Sequence, residues 1–254
     1  HHRTFKIKKS KRLLISSLFL QKILGRKGIK LEKGLQTIAA ISTAYGQSGI
    51  GIVRMSGPQA LDILVGIFSD AAGNSVLPEF FEHRKMRYGF ISEPCSGKKL
   101  DEVLCVFMKA PCTYTAENLV EIHCHGSAVA LKNVLALCLE RGAVLADPGE
   151  FTKRAFLNGR IDLIQAEAVI DLIQAKSNKS FDVAIKQVEG SLSAKVESIR
   201  KDLLELLISL TVNMDYPDED IEEITYTAIE NSIKQIDDAI ASLLLFSEEG
   251  RILR

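Results

Sequence analysis

Long apolar runs are missing from this 254-residue chain: none reaches the 18 or so residues that a membrane-crossing helix needs. Paired cysteine motifs are missing too. The five cysteines (Cys95, Cys105, Cys112, Cys124, Cys138) are odd in number and include no CxxC. That argues against a disulfide framework and against zinc, and the thiols read as reduced. No GxxxxGK[ST] occurs, so the chain as written is not expected to bind GTP or ATP. The glycine-bearing stretch AYGQSGIG is no substitute, because it joins strand to strand rather than strand to helix.

Net charge is absent as well, with 32 Lys/Arg against 32 Asp/Glu, but the balance is uneven. Residues 1–34 hold 11 Lys/Arg and one acid, Glu32. The remainder carries 21 Lys/Arg against 31 Asp/Glu, a net charge of about −10. So acidic a body is a poor generic nucleic-acid binder, since phosphate neutralisation needs clustered cations. Any RNA contact should be local or supplied by a partner. Hydrophobic content of 46% and charged content of 25% are ordinary for a globular protein, and the length allows one large or two modest domains.

The front end stands apart. His1-His2 reads as the end of an affinity tag, and FKIKKSKRLLISSLFLQKILGRKGIK is basic, serine-containing and acid-free. Three readings fit: an organelle transit peptide, a basic amphipathic surface helix, or a translated leader in which Gly25–Gly28 covers a ribosome-binding site and Leu31 a TTG start. The folded protein is expected to begin near Leu31.

TIAAIS (37–42) and GIVRMSG (51–57) are β-rich runs joined by the glycine-bearing loop. Pro58 suits the first turn of a helix buried through Ala60, Leu61, Ile63, Leu64 and Ile67. MRYGFISE (86–93) and LDEVLCVFMKA (100–110) flank PCSGKK as a hairpin. LVEIHCHG (119–126) reads as a strand, and the following SAVALKNVLALCLERGA as an amphipathic helix ended by Gly142. Beyond Ile161 the β signal stops. Ile161, Ile164, Ala168, Leu172 and Ala175 make one helical stripe, Ile185 to Leu210 a second, and Ile229 to Leu243 a third. The expected fold class is α+β: a mixed α/β domain over 35–157, then an antiparallel helical domain over 158–254. The acidic cluster Asp215–Asp220 lacks EF-hand spacing and reads as a solvated interhelical loop. The third helix runs into EEGRILR without a capping signal, as a cut fragment would.

Several residues invite chemistry. His123, Cys124 and His125 form an HCH run in which period 2 puts both histidines and Glu121 on one strand face, although no second ligand pair supports a metal. Glu121 interrupts a strand fit for burial and needs a partner. That partner is either an internal Arg in an ion pair or the paired N–H edge of a pterin- or guanine-like ring. Arg54, between Val53 and Met55, is suited to planar anion or carbonyl contacts, or to a salt bridge with an adjacent strand. PGEFTKRAFLNGRIDLIQAEAVIDLIQA (148–175) begins like a loop, carries Lys153, Arg154 and Arg160 around an Asn-Gly turn, and becomes a helix.

In this order and spacing, TIAAIS, GIGIVRMSG, ENLVEIHCHG and PGEFTKRAFLNGRIDLIQAEAVIDLI resemble the MnmE/TrmE family of tRNA-modification GTPases, over about residues 36–254. The resemblance implies an N-terminal domain similar to folate-dependent aminomethyltransferases that forms a homodimer and binds 5-formyltetrahydrofolate. It also implies a helical domain into which a GTPase domain, using GTP, K⁺ and Mg²⁺, is inserted. With an FAD-containing MnmG (GidA) partner, such proteins install an aminomethyl-type group on the wobble uridine of certain tRNAs. By the family's motifs the folate contacts fall on Arg54, Glu121 and Arg160, leaving Lys153 and Arg154 as structural or surface charges.

Three departures stand out: Arg160 replaces the usual Lys, AYGQSG replaces a PPGxGG-like loop, and neither the GTPase domain nor the closing cysteine-bearing helices are within these residues. The resemblance implies a cytoplasmic protein, or a mitochondrial one if the leader is a transit peptide. The rival readings are a stand-alone folate-dependent aminomethyltransferase and a non-catalytic dimerisation scaffold.

Overall fold

The computed structural model describes residues 36–44, 46–215 and 225–252. The basic leader, Tyr45 and the acidic cluster after Asp215 lie outside the described residues. The chain divides into two compact units, His1–Phe107 with Asn118–Leu145, and Met108–Glu117 with Ala146–Arg254.

In the first unit, strands β1 (Ile38–Ile41), β2 (Ser48–Ser56), β3 (Phe68–Ser69), β4 (Met86–Ser92), β5 (Lys99–Met108), β6 (Leu119–Gly126) and β7 (Val144–Leu145) form one sheet, in the order β3-β4-β5-β6-β2-β1-β7. It is mixed: β1 runs parallel to β7 and antiparallel to β2, and β2 runs antiparallel to β6. The alternation read from the sequence is realised on β2, where Gly51, Val53 and Met55 are buried while Ile52 and Arg54 are half-exposed. On β6, Ile122 and Cys124 face the core, whereas Glu121, His123 and His125 take the opposite face.

Two helices close the core. α1 (Ala60–Ile67) buries Ala60, Ile63, Leu64 and Ile67, and α2 (Ala128–Glu140) buries Leu131, Val134, Leu137 and Cys138. α1 packs on β6, and α2 on β1, β2 and β6. Each such aliphatic side chain taken fully from water contributes about 1.5–3 kcal/mol. Gly51 makes the approach of α2 feasible, because a Cβ there would stand 2.5 Å from a Leu131 methyl. The three buried thiols belong to this core: burial pushes Cys124 and Cys138 up to about 12 and raises Cys105 as well. They are protonated filling, not nucleophiles.

Among the described residues the second unit holds five helices: α3 (Glu150–Leu157), α4 (Leu163–Gln174), α5 (Asn178–Val188), α6 (Ser191–Asp215) and α7 (Tyr226–Ile252). Consecutive helices pack on one another from α3 to α7. The fold is therefore α+β, as the sequence predicts.

Two local expectations need correction. The stretch after Pro148 is not a loop but helix α3, started by Gly149 at φ +76° and by Asp147 N–H donating to Glu150 Oε2 at 2.8 Å. Its eight residues are too few and too mixed in polarity for the helical period to register. The stripe from Ile185 to Leu210 is two helices rather than one, parted at Gly190, which sits at φ +89°. Apolar spacing passes through that break unchanged, and only the backbone conformation reveals it.

Candidate functional site

In the first unit, Arg54 and Glu121 are Cα partners across β2 and β6. Both lie on the face turned away from α1 and α2, so their side chains meet. Arg54 Nε donates to Glu121 Oε1 at 2.9 Å, and Nη2 donates to the same oxygen at 2.7 Å. The two residues that seemed out of place in apolar strands are thus each other's partner. The pair is neither dry nor fully solvated, with side-chain exposures of 28% and 18%.

The arrangement is lopsided. Both guanidinium donors converge on Oε1, while Oε2 lies 3.4 Å from His123 Nε2, a long contact in which the imidazole donates when its proton is on Nε2. A carboxylate offers about four lone-pair sites, so acceptor capacity remains on the Oε2 side. The site can therefore accept from an N–H-bearing ring edge while Arg54 keeps the carboxylate in place.

His125, two residues on, is engaged elsewhere. Its backbone N–H donates to Asp101 Oδ2 at 2.8 Å, and its ring Nδ1 lies 2.6 Å from Asp101 Oδ1. The hydrogen bond and charge of Asp101 raise the imidazole above its ordinary range. The shared face predicted for Glu121, His123 and His125 is present, but the two histidines serve different carboxylates. Among the described residues no group of three or more His, Cys, Asp or Glu side chains could hold a metal ion.

The second unit contains Arg160, and its setting is built by α3. Asn158-Gly159-Arg160 closes that helix in a Schellman arrangement. The Gly159 N–H donates to Phe156 O at 3.0 Å and the Arg160 N–H to Ala155 O at 2.9 Å, with Gly159 at φ +71°. Asp162 then starts α4 with a capping box. Its side chain accepts from Gln165 N at 2.9 Å, and its own N–H donates to Gln165 Oε1 at 3.0 Å. Between two capped helix ends, the Arg160 backbone has one path.

Of the basic residues around this junction, Lys153 is exposed and Arg154 buried. Arg154 Nη1 donates to Glu117 Oε2 at 3.0 Å, and Nη2 to Glu150 Oε1 at 3.1 Å. Two more bonds tie the segment Met108–Glu117 to the helix: Tyr114 Oη lies 2.8 Å from Thr152 Oγ1, and Asn158 Nδ2 donates to the Thr115 carbonyl at 2.7 Å. The Arg160 guanidinium lies over the Tyr114 ring, with Cζ 5.0 Å from its centroid. Sequence reasoning singled out Arg54, Glu121 and Arg160 as candidates but passed over Tyr114 and Glu117. CTYTAEN has neither period, so nothing in it marks either residue as a partner of the downstream helix.

Comparison with known proteins supplies the family. A family model described as GTP-binding protein TrmE N-terminus matches residues 37–160, and one described as MnmE helical domain matches residues 163–254. The chain is 48% identical over 218 residues to the tRNA modification GTPase MnmE of Alkaliphilus oremlandii, covering 86% of this chain and 47% of that protein. It is 50% identical over 218 residues to the protein of that name from Acetivibrio thermocellus, with the same coverage. It is 47% identical over 221 residues to the one from Bacillus subtilis, covering 87% of this chain and 48% of the relative. The chain spans about half the length of the curated relatives it matches.

Proposed function

This chain belongs to the MnmE/TrmE family, and we propose that it supplies the folate-binding and homodimerising part of a tRNA-modification GTPase acting on the wobble uridine of certain tRNAs. The relatives' printed names support the tRNA and GTPase elements of the reading. GTP, K⁺ and Mg²⁺ would be used by residues outside this sequence, which has no P-loop. An FAD-containing MnmG-type protein would be the partner and the cytoplasm the compartment. Among the described residues no helix is long and apolar enough to cross a membrane.

The observation that carries the folate reading is the spare acceptor capacity of Glu121 Oε2, whose contact to His123 is a long one, while Arg54 holds Oε1. The donor set fits a reduced folate. Glu121 would accept from the N–H edge of the pterin-type ring, and Arg54 would balance carbonyl or carboxylate charge. Arg160 is assigned to folate by the family's motif alone. The bound folate supplies the one-carbon unit, and the chain's residues bind and orient it.

Calorimetric titration of the chain with 5-formyltetrahydrofolate tests this. Glu121→Gln keeps the shape but halves the acceptor set, and is expected to weaken binding about 10- to 100-fold. Glu121→Ala is expected to abolish binding and leave the dimer intact. Unchanged affinity in both variants removes Glu121 from the site. The direct Arg54–Glu121 ion pair is equally what a non-catalytic dimerisation scaffold would keep, and a wild-type chain that binds no folate would remove the folate reading.

A further inference from the structure

We propose that Tyr114 is a positioning residue for Arg160: its ring is the platform on which the guanidinium is laid before ligand arrives. The inference rests on the reading of Arg160 as a folate contact and adds the element that aims it.

Arg160 is exposed, and a long exposed side chain samples many rotamers, most of which must be given up on binding. Two constraints narrow that ensemble. The backbone is fixed by the Arg160 N–H bond to Ala155 O at 2.9 Å, in the turn that Gly159 closes. At the far end, the guanidinium carbon lies 5.0 Å from the centroid of the Tyr114 ring.

The ring is itself fixed. Its hydroxyl lies 2.8 Å from Thr152 Oγ1 on α3, the adjacent Thr115 carbonyl accepts from Asn158, and Glu117 is paired with buried Arg154. The platform and the residue laid on it are therefore anchored to the same short helix, and they move together.

The stack also decides which cation suits the position. A planar, weakly hydrated guanidinium lies flat on an aromatic face, whereas an ammonium is compact and strongly hydrated. Arg160→Lys keeps the charge and loses the platform, so it is not a conservative change in this chain.

Two readouts on the full chain test the proposal. In the free protein, the Arg160 side-chain resonances should be shifted upfield by the ring current. The shift should survive in Tyr114→Phe, which keeps the face, and vanish in Tyr114→Leu. In folate titrations, Tyr114→Leu should bind about threefold more weakly and Tyr114→Phe as wild type. Tyr114→Leu should add nothing in an Arg160→Lys background.

An unshifted Arg160 resonance in wild type overturns the stack. Equal losses in the Phe and Leu variants overturn it too, because the Thr152 hydrogen bond would then be what matters. Fully additive losses separate Tyr114 from Arg160 and have the same consequence. If wild type binds no folate, the parent reading falls, and the resonance shift alone still decides whether Tyr114 places Arg160. If Tyr114→Leu does not fold, the wild-type shift and the weakened binding of Arg160→Lys decide it.

Discussion

Arg154 and His125 show how differently two charged residues depend on their surroundings. Arg154 is 7% exposed and serves Glu117 and Glu150 together. Arg154→Met removes the guanidinium that two half-buried carboxylates share. Denaturant unfolding should report a loss of about 2–3 kcal/mol, toward the low end for a broken buried pair because both acids keep some solvent. A change within measurement error would mean that water already screens the cluster.

His125 is exposed, so its tie to Asp101 is better followed by pH than by energy. Asp101 raises the imidazole above its ordinary 6.5. A raised folded value means that folding favours the protonated ring. The contribution is then complete below 6.5 and is lost as pH rises through the raised value. Wild type and His125→Asn should therefore differ in thermal midpoint on the acid side and converge on the alkaline side. A gap that does not change with pH would assign the effect to the backbone bond to Asp101 instead.

Among the elements, α3 carries the most structure per residue. Its end needs a left-handed residue at position 159, which only glycine adopts without strain. Gly159→Ala should destabilise the chain by about 1 kcal/mol in chemical denaturation. An unaffected variant would show that the turn relaxes to another form. The longer strands and the striped helices were legible in the sequence because each exposes a period: two on β2 and β6, about three and a half on α2 and α4. The two-residue strands β3 and β7 are too short to show one. Helix α3 was not legible, because eight residues around one buried Arg leave no stripe. The division of α5 from α6 escaped for the opposite reason, since a continuous stripe conceals the turn at Gly190. At the candidate site, the odd placement of Arg54 and Glu121 could be read from their apolar neighbours. Their pairing could not, because register across 67 positions is settled by strand order.

For the whole molecule, the proposed homodimer has a direct measure. Light scattering on the eluted chain should give twice 28.0 kDa, at concentrations where folate binding is tested. A mass of 28.0 kDa throughout would remove homodimerisation from the reading.

The sequence by itself determined the α+β fold class, with strands first and helices after them, and the absence of a P-loop among these 254 residues. These depend on local periodicity and on motifs continuous in the chain. Only the tertiary structure decided that Arg54 takes Glu121, that His123 and His125 part ways, and that Met108–Glu117 joins the helical unit to put Tyr114 beneath Arg160. Each of these is a contact between residues distant in sequence or assigned to different partners on one face, and such contacts are chosen by register and packing rather than by the spacing of neighbours.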